Sequence, residues 1–303
     1  MAWPPILVRY GEIGIKSRSV RAHFERKLVE RIEEQLLRRK VESQTRKDWG
    51  RIFLRASDVE GALDALKHTF GIVSVSPTIE TEATPEAVAG VTLEVARERL
   101  PRGGSFAVRV KRSGTHKFTS LDVAKACASR ILEDLAQREP RVDLDEPDLE
   151  IHAEVREGGA FVFTRTERGP GGLPLGSQGR VAVLVDSPRA AHAAWLMAKR
   201  GSLPFFFATD VAQAERWLVP LQPWVPEIRV RHVTGNDRAE VYAHLKGLIE
   251  MHRCQALVVA DDISGALAQF EQDHSLGVPV FRPLTGYAGK RLSALAALAE
   301  LPA

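Results

Sequence analysis

Three residues at the junction of a predicted strand and a predicted helix, Asp186, Ser187 and Pro188, are the first candidates for chemistry. Residues 181–185 form a β-branched run typical of a buried strand, and residues 189–200 have helical apolar spacing with basic residues in the last turn. Proteins that bind nucleotide phosphates use this order, with glycines that let backbone N–H groups surround the anion. This turn has no glycine. The three residues are instead predicted to start the helix, with an acidic or hydroxyl cap and a proline in its first turn.

The two cysteines, Cys127 and Cys254, are far apart and belong to no CxxC motif or His/Cys cluster. They predict neither a disulfide scaffold nor a zinc site, and both are expected to be small buried residues. Asp261 and Asp262 follow a predicted strand end, where ligands often bind in open α/β sheets. No second acidic cluster at metal spacing accompanies them, so no metal site is predicted.

His192 lies near Asp186 and Ser187 in sequence, but no GxSxG elbow holds the serine, and a hydrolase is not indicated.

The net charge of +3 is unevenly distributed, with +5 over residues 1–78, −2 over 79–180 and zero over 181–303. Clustered cations favour a partner that carries phosphates.

A purely basic run, VKRSGTHK, leads out of the predicted strand 105–111. Because alternate strand residues share a face, Arg109 and Lys111 are expected to point together. Phe118 is a possible stacking platform, although a core position is the simpler interpretation. The predicted RNA-binding residues, on both basic segments, are Lys16, Arg18, Arg21, Arg109, Lys111, Arg112, His116 and Lys117.

The element pattern divides the chain into three predicted domains, 1–78, 79–178 and 179–303, with a polar linker at 81–87. The first has strand, helix, strand, strand, helix and strand signals, the order of a ferredoxin-like sandwich. The second has helices at 85–99 and 120–138, a strand at 105–111 and a strand pair at 148–155 and 160–166. The third alternates strands and helices, among them strands at 228–233 and 256–260 and a helix at 263–272, which predicts a doubly wound parallel α/β sheet.

Four strings carry a family resemblance: YGEIGIKSRSVRAHFERKL from Tyr10, FAVRVKRSGTHKFTSLDVAKACASRI from Phe106, GGLPLG from Gly171, and the pair DSP and KRG that bound the predicted helix after residue 188. They resemble the tRNA 4-thiouridine synthetases, the tRNA sulfurtransferases of the thiamine-biosynthesis type. The resemblance implies an N-terminal ferredoxin-like domain, a THUMP domain that binds RNA, and a PP-loop domain of the adenine nucleotide alpha hydrolase type. In the family that last domain uses ATP and magnesium.

Several family motifs around the nucleotide are altered in this chain. The family turn SGGxDSP is reduced to DSP, the loop resembling FHxPPxTSE is FFFATD, and TGxSxGQVASQT is VADDISGALAQF with little beyond Gln269 retained. RPLxGxDK becomes RPLTGYAGK, with Ala288 in place of the acid and Lys290 displaced by one position. The position of the family's sulfur-relay cysteine falls near Asn236 and Asp237.

The resemblance therefore implies a cytoplasmic tRNA-binding protein with a degenerate PP-loop, in which Asp186, Ser187 and Pro188 are a remnant and no catalytic residue or cofactor is expected. One alternative is an active ATP-dependent tRNA sulfurtransferase or other tRNA-modifying enzyme with a rebuilt site, which would need a sulfur-donor protein. Another is a protein-interaction scaffold. A homodimer is left open. No apolar stretch approaches the ~18 residues that span a bilayer, so no membrane partner is expected.

Overall fold

The computed structural model describes residues 3–14, 17–48, 50–261, 276–287 and 289–301. Contacts between residues divide the chain into two compact units. Unit 1 comprises Met1–Arg9, Val41–Leu63 and Ser74–Arg168, and unit 2 comprises Tyr10–Lys40, Asp64–Val73 and Gly169–Ala303.

The first elements along the chain follow the predicted order of a ferredoxin-like domain, which is confirmed. They are β1 (Pro5–Tyr10), α1 (Arg18–Arg38), β2 (Ser43–Asp48), β3 (Arg51–Ala56), α2 (Val59–Lys67) and β4 (Ile72–Pro77). β3 pairs antiparallel with both β1 and β2. A short strand, β10 (Glu167–Arg168), extends this sheet, whose order is β10-β4-β1-β3-β2.

Unit 1 also contains a second five-stranded sheet, built from residues 79–163. Its elements are β5 (Ile79–Thr81), α3 (Pro85–Arg99), β6 (Ser105–Arg112), α4 (Ser120–Asp134), β7 (Arg141–Val142), β8 (Leu149–Arg156) and β9 (Gly159–Phe163). The sheet order is β5-β9-β8-β6-β7, with β6 parallel to both β7 and β8. Both helices contribute side chains to one core with this sheet, including Val88, Phe106 and Ile131, which are fully buried.

Two boundaries predicted in this region are wrong. The predicted linker at 81–87 is largely structured, because Thr81 pairs with Ala160 in the sheet and Pro85 begins α3. Thr84 caps that helix by accepting a hydrogen bond from the Ala87 N–H. The polar residue at this position therefore serves as a helix cap and does not mark a linker. The predicted helix 120–138 ends as an α-helix at Asp134, and Ala136–Arg138 form a separate 3₁₀ turn.

The alternating elements in unit 2 confirm the predicted parallel α/β domain. They are β11 (Arg180–Leu184), α5 (Arg189–Lys199), β12 (Leu203–Ala208), α6 (Val211–Leu218), β13 (Val230–His232), α7 (Arg238–Met251), β14 (Leu257–Val258), β15 (Val280–Phe281) and α8 (Lys290–Ala299). The strand order is β13-β12-β11-β14-β15, and every pairing is parallel. The predicted helix at 263–272 lies outside the described residues.

Both faces of this sheet are buried, as a doubly wound sheet requires. Along β11, Val181 and Val183 enter one core, which includes Trp195 of α5. Ala182 and Leu184 enter the other, which includes Tyr242 of α7. Two predicted strands are shorter than expected, since 228–233 contains only β13 and 256–260 only β14.

Glycines in the GGLPLG segment fix the end of α5. Gly172 has a φ of +77°, and a Cβ there would lie 2.1 Å from the Lys199 carbonyl oxygen. The Leu173 N–H donates to that same carbonyl at 2.9 Å, and the Gln178 N–H donates to the Gly201 carbonyl at 2.9 Å. The segment is thus hydrogen-bonded to the end of α5 inside unit 2. Gly172 lets the backbone of the segment approach the Lys199 carbonyl more closely than a side chain would allow.

Phe70 completes the core that contains Trp195. Its ring stacks on Trp224 at 5.1 Å between centroids and meets Trp195 edge-on at 5.5 Å. All three side chains are at most 4% exposed. None of the helices in the described ranges has both the length and the apolar character needed to cross a bilayer.

Candidate functional site

The turn between β11 and α5 is as short as the sequence predicts. β11 ends at Leu184 and α5 begins at Arg189, with Pro188 at the cap position. The predicted acidic or hydroxyl cap is wrong: in the described part of the chain Pro188 occupies the cap position, and it makes no side-chain cap hydrogen bond. Instead the Ala190 and Ala191 N–H groups donate to the carbonyls of Ser187 and Pro188, at 3.1 and 3.3 Å. These N–H groups are therefore already used within the turn.

A charged cluster lies at the carboxyl edge of the parallel sheet, where ligands bind in such folds. Asp186 follows β11, Asp261 lies beyond β14, Arg282 follows β15, and Arg238 begins α7. Arg238 donates to both carboxylate oxygens of Asp261, at 3.1 and 2.7 Å, and lies 4.0 Å from Asp186. Arg282 is 3.3 Å from Asp261. The cluster therefore combines two arginines with two carboxylates, so its positive charge is balanced internally.

The surroundings of Asp186 raise the pKa of its carboxyl group above the ordinary value. Burial raises the pKa of Asp186, Arg238 lowers it, and the neighbouring Asp261 raises it. The side chain is still 42% exposed, so solvent moderates that burial effect. Of the other residues predicted near the site, His192 is 4% exposed and belongs to the core, and Asp262, Gln269 and Ala288 lie outside the described residues.

Neither cysteine has the environment of a nucleophile. Cys127 is fully buried and Cys254 is 6% exposed. Burial raises the pKa of Cys127, and it raises that of Cys254 to about 11 despite the nearby Arg180 and Arg231. A thiol that stays protonated at neutral pH is a poor nucleophile. Across the described residues, His, Cys, Asp and Glu side chains nowhere meet in a group of three that could hold a metal ion.

The structure brings the central basic residues of unit 1 together. Arg109 and Lys111 line one cavity of about 310 Å³ on the sheet that contains β6. Arg109 is engaged by Glu150, with Nε–Oε1 at 2.8 Å, and by the Leu144 carbonyl. Lys111 is exposed, so it is the cation of this cavity that solvent reaches most readily.

The loop after β6 carries the other predicted residues of unit 1. Lys117 is exposed, and so is Arg112, whose Nη1 donates to the Gly114 carbonyl at 3.3 Å. His116 interacts with the Ser113 carbonyl at 3.1 Å, and Phe118 packs against the core, as the simpler interpretation predicts. Within the described part of the chain, Lys111, Arg112 and Lys117 have no carboxylate at ion-pair distance.

The remaining predicted residues belong to unit 2 or are not described. Arg18 is exposed at the start of α1. Arg21, one turn later, lies 3.8 Å from the Glu25 carboxylate. Lys16 lies outside the described residues.

Three residues that the sequence did not single out share the cavity of Arg109 and Lys111. His152 stacks on Phe163 with 5.2 Å between centroids and 9° between planes. The Arg9 guanidinium lies 4.8 Å from the centroid of that ring. Phe163 is 9% exposed, whereas the His152 side chain is 31% exposed and therefore forms the outer ring of the stack. A partly exposed ring beside a cation is an arrangement that can stack an unpaired base.

A buried carboxylate organises further arginines next to this cavity. Glu154 is 4% exposed and accepts hydrogen bonds from Arg9, Arg51 and Arg156 at 3.4, 2.8 and 3.0 Å. Arg156 also lies 3.5 Å from the exposed Asp48, so the three guanidiniums share two carboxylates and keep an excess of one positive charge. Arg156 also lines a neighbouring cavity of about 500 Å³ with Arg46, Lys47, Asp48, Ser113, Gly114, Glu157 and Gly158. The basic excess of the first 78 residues was the sequence signal for Arg9 and Arg51, whereas Arg156 had none.

Domain families match the first half of the chain. The ThiI ferredoxin-like domain matches residues 5–76, and the THUMP domain matches residues 82–165.

Relatives named probable tRNA sulfurtransferase align with most of the chain. The protein from Halobacterium salinarum is 31% identical over 96% of this chain and 83% of its own length. The protein from Aeropyrum pernix is 37% identical over 94% of this chain and 81% of its own length. The protein from Methanosarcina acetivorans is 38% identical over 73% of this chain. The match spans only 57% of that relative, and only 49% of a similar one from Methanosarcina mazei.

Two solved structures share the fold. PH1313 from Pyrococcus horikoshii superposes with a TM-score of 0.85 at 25% identity, covering 99% of this chain and 100% of that one. The second is a 4-thiouridine synthetase, crystallised as an RNA complex with bound ATP. It superposes with a TM-score of 0.74 at 22% identity, covering 98% of this chain and 84% of that one. Since both domain families occur in the same order as the predicted domains and relatives align over nearly all of its residues, this chain belongs to the tRNA sulfurtransferase family.

Proposed function

We propose that this protein binds tRNA through unit 1 and does not carry out ATP-dependent sulfur transfer. The observation that carries the proposal is the contrast between the two candidate sites. The unit 1 cavity has the exposed Lys111, which is not at ion-pair distance from a carboxylate of the described residues, beside the stacked ring of His152. At the carboxyl edge of the α/β sheet, Arg238 and Arg282 are both bound to the Asp261 carboxylate.

RNA binding is supported by the chemistry of the unit 1 cavity. Lys111 neutralises phosphates without first breaking an ion pair, and Arg112 and Lys117 extend the positive surface along the loop. His152 offers a flat ring on which an unpaired base can stack, because Phe163 and Glu150 fix its orientation. The THUMP match over these residues and the relatives named tRNA sulfurtransferase favour tRNA as the RNA.

The absence of ATP chemistry is supported by a poor fit between the turn after β11 and a triphosphate. A triphosphate needs a concave set of free N–H groups, usually from glycines. Here Ala190 and Ala191 donate to the turn itself, and the Asp186 carboxylate would repel the phosphates. ATP and magnesium are therefore not assigned to this edge, and no reaction step is derived through them.

Sulfur transfer is disfavoured on separate grounds. The family chemistry needs a thiolate, and burial keeps the thiols of Cys127 and Cys254 protonated at neutral pH. Asn236 and Asp237 stand near the position expected for the family's cysteine. Asp237 instead caps α7, accepting a hydrogen bond from the Glu240 N–H at 2.9 Å.

The test is a titration of labelled tRNA with the purified protein at several salt concentrations, with and without ATP. We expect binding that weakens steeply with salt and does not respond to ATP. K111A/R112A should weaken binding and reduce the salt dependence by about 0.7–0.9 in the log–log slope per lost phosphate contact. H152A should weaken binding by about 1–3 kcal/mol with the slope unchanged, since stacking releases no counterions.

A second candidate, an active tRNA sulfurtransferase with a rebuilt site, is favoured by the names of the relatives that align over more than four fifths of their length. Incubation of the protein with tRNA, ATP and a sulfide source separates the two candidates. Thiolated tRNA or released pyrophosphate would establish the second candidate. Unchanged tRNA and ATP, together with tight tRNA binding, support the first.

A further inference from the structure

Two arginines of the α/β domain lie over one phenylalanine of its parallel sheet. Arg180 is the first residue of β11, Phe205 lies in β12, and Arg231 lies in β13. The guanidinium carbons of Arg180 and Arg231 are 5.4 and 5.1 Å from the centroid of the Phe205 ring. The His252 ring, just after α7, is 5.5 Å from it.

Neither arginine is neutralised. Within the described ranges, no carboxylate lies at ion-pair distance from Arg180 or Arg231. This distinguishes them from Arg238 and Arg282 at the carboxyl edge, which share the carboxylate of Asp261. The pKa of His252 is lowered, first by its partial burial and then by the positive charge of the two guanidiniums. The cluster is thus a local concentration of positive charge without an internal counterion.

Both guanidiniums are also held in place. Arg180 Nη1 donates to the His252 carbonyl at 3.2 Å, and Arg231 Nη1 donates to the Arg229 carbonyl at 3.4 Å. Each arginine has five N–H donors, so one such bond and a cation–π contact orient the fork while leaving the other donors available. Oriented forks bind phosphate oxygens with less loss of side-chain entropy than freely moving arginines.

The open edge of β12 gives this cluster a groove. β13 pairs with β12 only from Phe206 to Ala208, so within the described ranges Leu203–Phe205 have no strand on that side. A cavity of about 360 Å³ lies there, and both Phe205 and Arg231 line it. The other cations of the groove are paired, since Arg31 bonds to Glu34 at 2.5 Å and Arg229 lies 3.8 Å from Glu227. Arg231 is therefore the groove's available cation, with Arg180 beside it.

We propose that Arg180 and Arg231 form a phosphate-binding site for the RNA backbone on the α/β domain, separate from both the unit 1 cavity and the carboxyl edge. Because both forks lie over one ring, they are close enough to engage neighbouring phosphates of one strand. This inference rests on the proposed tRNA binding, and it adds a second point of contact on the RNA.

The test compares tRNA affinity and its salt dependence for the full-length wild-type protein, R180A/R231A and the control R216A. Arg216 is an exposed arginine on α6, a helix that packs on the opposite face of the sheet. R180A/R231A should weaken binding at least several-fold at physiological salt and reduce the log–log slope by about 0.7–0.9 for each phosphate lost. R216A should match the wild type.

A second variant keeps the inference testable if R180A/R231A folds poorly. R180K/R231K retains both charges but lacks the planar fork, so it should bind more weakly than the wild type with a nearly unchanged slope. Wild-type affinity and slope in R180A/R231A or R180K/R231K, alongside weakened binding by K111A/R112A, would overturn this site and leave the proposed function standing. If the wild-type protein does not bind tRNA, the proposed function fails and this inference fails with it.

Discussion

Arg238 holds Asp261 through both of its terminal guanidinium nitrogens, so the start of α7 is fastened to the residue beyond β14. Bidentate arginine–carboxylate pairs are among the stronger polar contacts in proteins. The exposed fractions of the two side chains are 22% and 12%, and Arg282, at 11%, shares the same carboxylate. Both arginines are therefore engaged by the same carboxylate.

Loss of Arg238 should destabilise unit 2. R238M removes the bidentate partner and leaves the nearly buried Asp261 with Arg282 alone, at an expected cost of about 2–4 kcal/mol in the free energy of unfolding. Urea unfolding followed by tryptophan fluorescence measures it, since Trp195 and Trp224 lie in the same domain. The matched control is R229M, which removes an ion pair with Glu227 whose two side chains are each over 70% exposed. Its free energy of unfolding should change by no more than about 0.5 kcal/mol. Equal effects from the two variants would contradict the stabilising role of the Arg238–Asp261 pair.

Neutralising Asp261 should create an anion site that the wild type lacks. In D261N the amide no longer neutralises Arg238 and Arg282, so both guanidiniums become available to an oxyanion. We expect pyrophosphate to raise the melting temperature of D261N and to leave that of the wild type unchanged. Comparable stabilisation of the wild type would mean that its carboxyl edge already accepts phosphates.

The cysteines should resist alkylation in the folded protein. A raised pKa means that the thiolate appears only at higher pH, so at pH 8 Cys254, with a pKa of about 11, is almost entirely the unreactive thiol. Iodoacetamide labelling followed by mass spectrometry should be slow for Cys254 and Cys127 at pH 8, and fast for both after unfolding in urea. Rapid labelling of folded Cys254 would reopen a role in sulfur transfer.

Glu154 should have opposite effects on stability and on RNA affinity. E154Q leaves Arg9, Arg51 and Arg156 without their shared buried charge, which should cost about 3 kcal/mol in the free energy of unfolding. It also adds one net positive charge beside the RNA-binding cavity, so tRNA affinity should rise and its salt dependence should steepen. E146Q is the control, because it makes the same charge change at an exposed side chain and should leave stability unchanged. A fall in tRNA affinity for folded E154Q would indicate that geometry at this cavity outweighs charge.

Local patterns were sufficient to predict most helices and strands. The amphipathic spacing of α3 and the alternation along β6 are visible in single stretches of sequence, and both elements lie close to their predicted ranges. β5 was missed because a three-residue edge strand has too few side chains to show a period, and Ile79 is 48% exposed.

The candidate sites were harder to predict because their contacts join distant parts of the chain. Arg109 was assigned to RNA, but Glu150, 41 residues away, shares its charge across adjacent parallel strands. The stack of His152 on Phe163 and the arginines around Glu154 likewise depend on strand register, which composition does not encode. The basic charge of the first domain was visible, but not its arrangement around a buried carboxylate.

The placement of Phe70 changes what counts as a separable part of this molecule. A fragment beginning at residue 179 would lack the ring that stacks on Trp224, and also the GGLPLG backbone that satisfies the Lys199 carbonyl. Such a truncation would expose the aromatic surface of Trp195 and Trp224, so we expect the fragment to aggregate when it is expressed. A chimera that exchanges the α/β domain between relatives would therefore have to include residues 64–73 together with the C-terminal half.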